Sequence, residues 1–378
     1  RPKVERRAYP IRMLRLGSFL SNEGKTMKKV LFATTALVAS AGVASAQGVE
    51  VSGWAEMGIF GGSGMETQFF TDIDVLFRMS GETDNGLSFG AGVDLDENGA
   101  FTANDDGGAF MFLSGNFGTI TMGDTDGALD WAMTEAWVGN AGSIADDETA
   151  HAGALGSYLD GAYDGQILRY DNTFGDFGVA VSVEMDDTGA RDNGWAIGFR
   201  YGVDLGGADL DLGVGYQSAV VASTAAGAPP VGALSVAGVN LYALMLPGDQ
   251  GFLDANPGYQ VDVDAVGVSA VVSTGNGFTA GVAYTEFDAS YSFGSGDASQ
   301  ISVGFGYSMD AFTVSANWGQ FDGSFNVLAN NYTIDQSGFG VSAAYDMGGG
   351  ASILAGYGSS DIAGVNSDSF SLGVAMSF

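Results

Sequence analysis

From Val49 to Phe378 the chain alternates, segment after segment, between an apolar side chain and a small or polar one. The last ten residues show it plainly. Phe370, Leu372, Val374, Met376 and Phe378 fall on one face of an extended strand, and Ser369, Ser371, Gly373, Ala375 and Ser377 fall on the other. Side chains alternate across a strand, so one face is continuously greasy and the other is wettable. A soluble sheet with one buried face can carry such a pattern. Repetition along the whole chain, with little bulk on the second face, suits a closed sheet with hydrocarbon outside and water inside.

The first 46 residues read differently. Met27-Lys28-Lys29 starts a basic stretch, Val30 to Val43 is mostly apolar, and Ala44-Ser45-Ala46 is a small-residue cleavage site. Residues 27–46 are therefore expected to be a secretory signal peptide, cut before Gln47. Residues 1–26 precede that start and are expected to play no part in the fold. The expected body is 47–378.

Setting the leader aside sharpens the charge. It holds nine of the 13 basic residues and two of the 45 acids (Glu5 and Glu23), leaving Arg78, Arg169, Arg191 and Arg200 against 43 carboxylates, a formal charge of −39. Such acidity argues against nucleic acid as a partner and favours contact with cations; a salt-adapted acidic surface is the plainer origin. With no cysteine, disulfides and thiolate chemistry are excluded. Beyond the leader no apolar run reaches the ~20 residues of a spanning helix.

Sixteen strands are expected: Val49–Phe60, Thr67–Ser80, Leu87–Leu95, Ala109–Ser114, Thr119–Gly123, Gln166–Asp171, Phe177–Met185, Trp195–Gly202, Ala208–Tyr216, Val261–Ser273, Phe278–Phe287, Ser299–Tyr307, Ala311–Gln320, Thr333–Tyr345, Ala351–Gly358 and Asp368–Phe378. Gly, Asn and Asp in the short connections supply the backbone angles of tight hairpins. The other connections are expected to be longer and acidic. The alternation slips phase near Ala265, which suggests a bulge. Trp54, Tyr170, Trp195, Tyr201, Tyr307 and Trp318 sit near strand ends, where aromatic girdles would lie. Two insertions stand out: Asp124–Gly165, with a short helix expected over Leu129–Trp137, and Ala219–Gly258. Connections of this length are usually functional or disordered.

Three stretches resemble alphaproteobacterial general porins. They are Val75-Leu76-Phe77-Arg78-Met79-Ser80-Gly81 with Thr83-Asp84-Asn85-Gly86-Leu87, Phe112-Leu113-Ser114-Gly115-Asn116-Phe117-Gly118 with Met122-Gly123-Asp124, and Ala344 to Ile353. The resemblance implies an all-β fold: a sixteen-stranded antiparallel transmembrane β-barrel in the outer membrane, assembled as a homotrimer, with a long third loop (residues 124–165) folded into the lumen. It also implies loop acids facing wall arginines across the narrowing. The barrel width agrees, since about sixteen strands leave an aqueous channel.

On that basis the acidic constriction residues would be Asp124, Asp126, Asp130 and Glu135. Alternation turns Arg78, Arg169 and Arg200 inward, because their neighbours on either side are apolar and an arginine facing lipid would cost ~2–4 kcal/mol. They form a basic wall patch opposite the loop, or they merely pair with inner acids such as Asp74 or Asp171. Asp146, Asp147 and Glu148 offer oxygens to calcium, or are simply solvated. No cofactor is required. His151, the only histidine, stands without a nucleophile motif, so an enzyme is not expected. The reading is passive diffusion of small hydrophilic solutes and ions, with cations preferred, in a barrel touching outer-membrane lipid and lipopolysaccharide. The alternatives are a substrate-specific channel, a barrel enzyme, or a secreted β adhesin.

Overall fold

The computed structural model describes residues 48–378 apart from 99–107, 135–140, 145–150, 155–157, 164, 188, 190, 222–234, 237–238, 241–244 and 251–259. The expected signal peptide lies outside the described residues. Sixteen of the described strands close into one antiparallel barrel: β1 (Gly48–Gly62), β2 (Met65–Glu82), β3 (Ser88–Asn98), β4 (Ala109–Gly115), β5 (Gly118–Gly123), β6 (Ile167–Phe174), β7 (Phe177–Glu184), β8 (Gly194–Asp204) and β9 (Ala208–Val221), then β12 (Val261–Thr274), β13 (Phe278–Tyr291), β14 (Gly294–Met309), β15 (Phe312–Val327), β16 (Asn330–Gly348), β17 (Ala351–Ile362) and β18 (Val365–Ser377). A small hairpin, β10 (Ser235–Val236) with β11 (Val239–Asn240), lies between β9 and β12. Each barrel strand matches one expected from sequence.

Closure follows from the alternation. Hydrocarbon offers no hydrogen bonds, so every strand edge must be paired, and β18 returns to β1 with Trp54 opposite Ser377 and Gly62 opposite Ser369. The apolar set of β18 then lies outside, and Leu372 remains 50% exposed for lipid to cover. Five of the expected girdle aromatics lie on this outer face. Trp54 does not. It shares a face with Glu56 and Ser377 and packs inside the barrel near Ile144.

Strands β13 to β18 run farther than the pattern indicated. The connections β13–β14, β15–β16 and β17–β18 are tight hairpins, with Leu328 and Ala363 at positive φ (55° and 51°), rather than long acidic loops. The phase change at Ala265 has a related cause. Register across β12 is unbroken on both sides, so no bulge exists there. Instead the faces exchange character: Asp262, Asp264, Glu286, Asp288, Asp297, Asp322 and Asp335 point outward and are exposed, while Val261, Val263 and Phe287 point inward and are buried. An outer face that has left the hydrocarbon meets water, so charge belongs there.

This boundary gives a direct expectation. Val282 and Asp288 share the outer face of β13. Val282→Arg should lower folding stability in lipid vesicles by about 2–4 kcal/mol, whereas Asp288→Arg should leave the guanidinium unfolding midpoint near that of the parent.

Candidate functional site

The chain leaves β5 at Gly123 and turns into the lumen, where the Asp124 amide donates to the Ala109 carbonyl. It forms a one-turn helix, α1 (Ala128–Ala132), all of whose residues are buried. The sequence pattern extended this helix to Trp137; the structure ends it at Ala132, with Met133 in extended conformation. Small wall residues let α1 lie flat on β8 and β9. A Cβ on Gly198 would come within 1.9 Å of the Ala128 carbonyl oxygen, and one on Gly213 within 2.1 Å of that of Ala132. Only glycine fits at either position.

Side chains of the wall then tie the loop backbone. The Ala128 amide donates to Ser182 Oγ (2.8 Å) and the Thr134 amide to Ser269 Oγ (3.0 Å). Farther along, the Ala141 amide donates to Ser315 Oγ (2.9 Å), and Ile144 is fully buried against Gly58 and Gly373. The Ala152 amide reaches Ser360 Oγ (3.0 Å), and Gln300 Nε2 donates to the Gly153 carbonyl (3.0 Å). On the return, the Leu159 amide donates to Gln217 Oε1 (3.2 Å), and the Gly165 amide to Glu184 Oε1 (2.9 Å). The β5–β6 connection thus crosses the lumen, touches the far wall and comes back.

The arginines occupy distinct places. Arg169, 3% exposed, donates through Nη1 to the Asp126 carbonyl (2.6 Å) and Thr125 Oγ1 (3.3 Å), and through Nε to Asp171 (3.1 Å). Arg200 stacks its guanidinium on the Trp131 ring at 4.0 Å. Both lie beneath the loop rather than across open water from it. A planar guanidinium can serve a carbonyl and a carboxylate, or an aromatic face, at once, and so fastens backbone to wall. Arg78 remains apart on the inner face of β2, directly opposite Glu50 and under the attraction of Asp94.

The loop acids likewise turn toward protein. Asp126 and Asp130 are buried, while Asp124 is half-buried. Glu135, and the suggested calcium ligands Asp146, Asp147 and Glu148, lie outside the described residues. Among the described residues no group of three or more carboxylates and histidines is arranged to hold a metal.

Two loop residues that sequence reasoning passed over fix the return. Asp160 accepts from the Gly127 amide (2.6 Å) and from Gln217 Nε2 (2.6 Å). Burial, with repulsion from Asp126 and Glu184, pushes its carboxyl up to about 7 against the pull of those two donors. Arg191 pairs with Asp186 (3.0 Å), donates to the Ala162 carbonyl (3.0 Å) and lies 4.4 Å from the centre of the Tyr163 ring. Its place between β7 and β8, outside any strand, gave no face assignment that would have marked it.

The inner face of β1–β3 carries Glu50, Glu56, Asp72, Asp74 and Asp94 along with Arg78, and Glu56, Asp72 and Asp94 are buried in it. It is a strongly negative wall.

Comparison with known proteins agrees with this architecture. A model of the Gram-negative porin family matches residues 33–364. The porin of Rhodobacter capsulatus is 28% identical over 352 residues, which cover 87% of this chain and 100% of that protein. Among solved structures, the trimer form of OmpT, an outer-membrane protein of Vibrio cholerae, is 14% identical with a TM-score of 0.62, covering 88% of this chain and 99% of that one. The anion-selective porin from Comamonas acidovorans is 11% identical with a TM-score of 0.61, over 88% and 99%. The chain belongs to the Gram-negative porin family, and is a general diffusion channel of the outer membrane.

Arg169→Ala removes the clamp on the start of the loop, so planar-bilayer recordings should show higher open-channel noise and a larger mean conductance. Acid should act at the far end. Burial lowers His151 to about 4, and its Nδ1 accepts from the Gly153 amide (3.2 Å). A base whose docked pKa is depressed holds the loop fully above its ordinary value of 6.5 and loses that hold as pH falls toward 4. Current noise should therefore rise through this window in the parent, and the rise should be smaller in His151→Asn.

Proposed function

We propose that this outer-membrane porin passes small hydrophilic solutes and cations in preference to anions, as a homotrimer in contact with lipid and lipopolysaccharide, without enzymatic activity. One observation carries the preference: the inner face of β1–β3 holds five carboxylates and one guanidinium. With Arg169 and Arg200 engaged under the loop, Arg78 is the basic group on that stretch of wall. A negatively charged wall beside a narrow aqueous path raises the local concentration of cations and repels anions. The Comamonas acidovorans neighbour, named as anion-selective, shares the fold, so selectivity belongs to wall chemistry and not to barrel shape.

The low wall supports the oligomer. β4 and β5 are 7 and 6 residues long, against the ~9–11 needed to cross hydrocarbon. A wall that low leaves the ends of β4 and β5 within the depth of the hydrocarbon unless another subunit covers them. The Vibrio cholerae neighbour is described in a trimer form.

Reversal potentials across a potassium chloride gradient test the preference. At low salt the parent should favour potassium, Arg78→Ala should favour it more, and the combined Asp72→Asn, Asp74→Asn and Asp94→Asn variant should approach neutrality. Near 1 M salt, where screening acts over ~3 Å, the preference should shrink. Chloride preference in the parent at low salt would overturn the proposal.

A further inference from the structure

The part of the barrel above the hydrocarbon is built like a small soluble protein turned around its wall. Its outer face on β12–β16 carries exposed carboxylates, and its inner face carries Val261, Val263, Phe287, Phe321, Phe325 and Ile334. Each of these six is 5% exposed or less. Inward-facing side chains of a closed sheet can be shielded only from inside its perimeter. Tyr158 and Leu159 of the β5–β6 loop join this apolar cluster from below. Met245 joins it from the β9–β12 connection and is itself 5% exposed.

Met245 starts a turn in which the Asp249 and Gln250 amides both donate to the Leu246 carbonyl (3.0 Å each). A side-chain latch holds this turn to β16. The Tyr332 hydroxyl donates to the Asp249 carboxylate and accepts from the Leu246 amide (3.2 Å), and Asn330 Nδ2 donates to the same carboxylate oxygen (2.8 Å). Tyr332 in turn stacks on Phe325 with ring centres 5.1 Å apart. Asp249 is 6% exposed. A carboxylate so buried keeps its place only while donors satisfy it, and otherwise returns to water.

We infer that the Met245–Gln250 turn is a second constriction, set at the mouth of the barrel beyond the β5–β6 loop, and that Asp249, Tyr332 and Asn330 fix its position and thereby the size of solute admitted. The inference rests on the diffusion-channel reading and adds a size filter to it. The turn is a fixed element. It fills a core whose apolar area would otherwise face solvent, and the hydrophobic effect holds it inward. Its charged anchor makes the position specific rather than merely greasy.

The test uses the full-length protein with Tyr332→Phe, which keeps the ring and removes the hydroxyl. Because the chain has no cysteine, Val263→Cys introduced into both backgrounds reports whether the inner wall is covered. Tyr332→Phe should raise single-channel conductance roughly 1.5-fold and extend liposome-swelling permeability to larger sugars. A water-soluble maleimide should label Val263→Cys at least about tenfold faster with the latch removed. Conductance and size cut-off unchanged by Tyr332→Phe would overturn the inference, as would equal labelling rates in the two backgrounds. A parent protein that forms no channels would instead remove the diffusion-channel reading itself.

Discussion

Hydrocarbon that can neither donate nor accept a hydrogen bond is the constraint behind everything else in this molecule. It forbids a free strand edge, so the sheet must close, and it rewards apolar side chains on the outside of the ring, so every second residue must be greasy. Those two demands fix strand direction, register and the inward assignment of Arg78, Arg169 and Arg200 before any loop is considered. The same constraint lapses at the rim. There the outer face turns acidic, and the inner face of β12–β16, relieved of any duty to hold water, becomes a core.

Function is then made by filling the ring selectively. The β5–β6 loop starts across the lumen against β8 and β9 because glycines at 198 and 213 let its backbone touch the wall, and serine hydroxyls and arginine forks take up its polar groups. Carboxylates charge the wall of β1–β3, with Glu50 exposed, Asp74 half-buried, and Glu56, Asp72 and Asp94 buried. A basic residue that serves the loop is lost to the wall's field, which is how a lumen holding three inward arginines still presents a negative path.

The strands were legible because a period of two survives small errors in boundary, and β18 could be read residue by residue. Legibility failed where a face changed partner. Between Ala265 and Val261 the alternation continued without interruption while its meaning inverted, and a pattern scored against lipid alone reads such an inversion as a slip or a loop. Trp54 misled for the opposite reason: an aromatic near a strand end suits a girdle, but its parity placed it beside Ile144 in the lumen. The inward direction of Arg169 and Arg200 was readable from their neighbours. Their engagement with Asp126 and Trp131 was not, because it depends on where a 42-residue insertion (124–165) folds. Asp249 and Tyr332 are 83 positions apart, and nothing local marks either.

The alternation itself is most directly measured on β14, with single cysteines placed one at a time from Ile301 to Tyr307 and carrying a fluorescent label in lipid vesicles. The account predicts that labels at Ile301, Val303, Phe305 and Tyr307 are quenched by a bilayer-dissolved quencher, and those at Ser302, Gly304 and Gly306 by aqueous acrylamide, which is neutral. Equal quenching of neighbouring positions by either agent would contradict it.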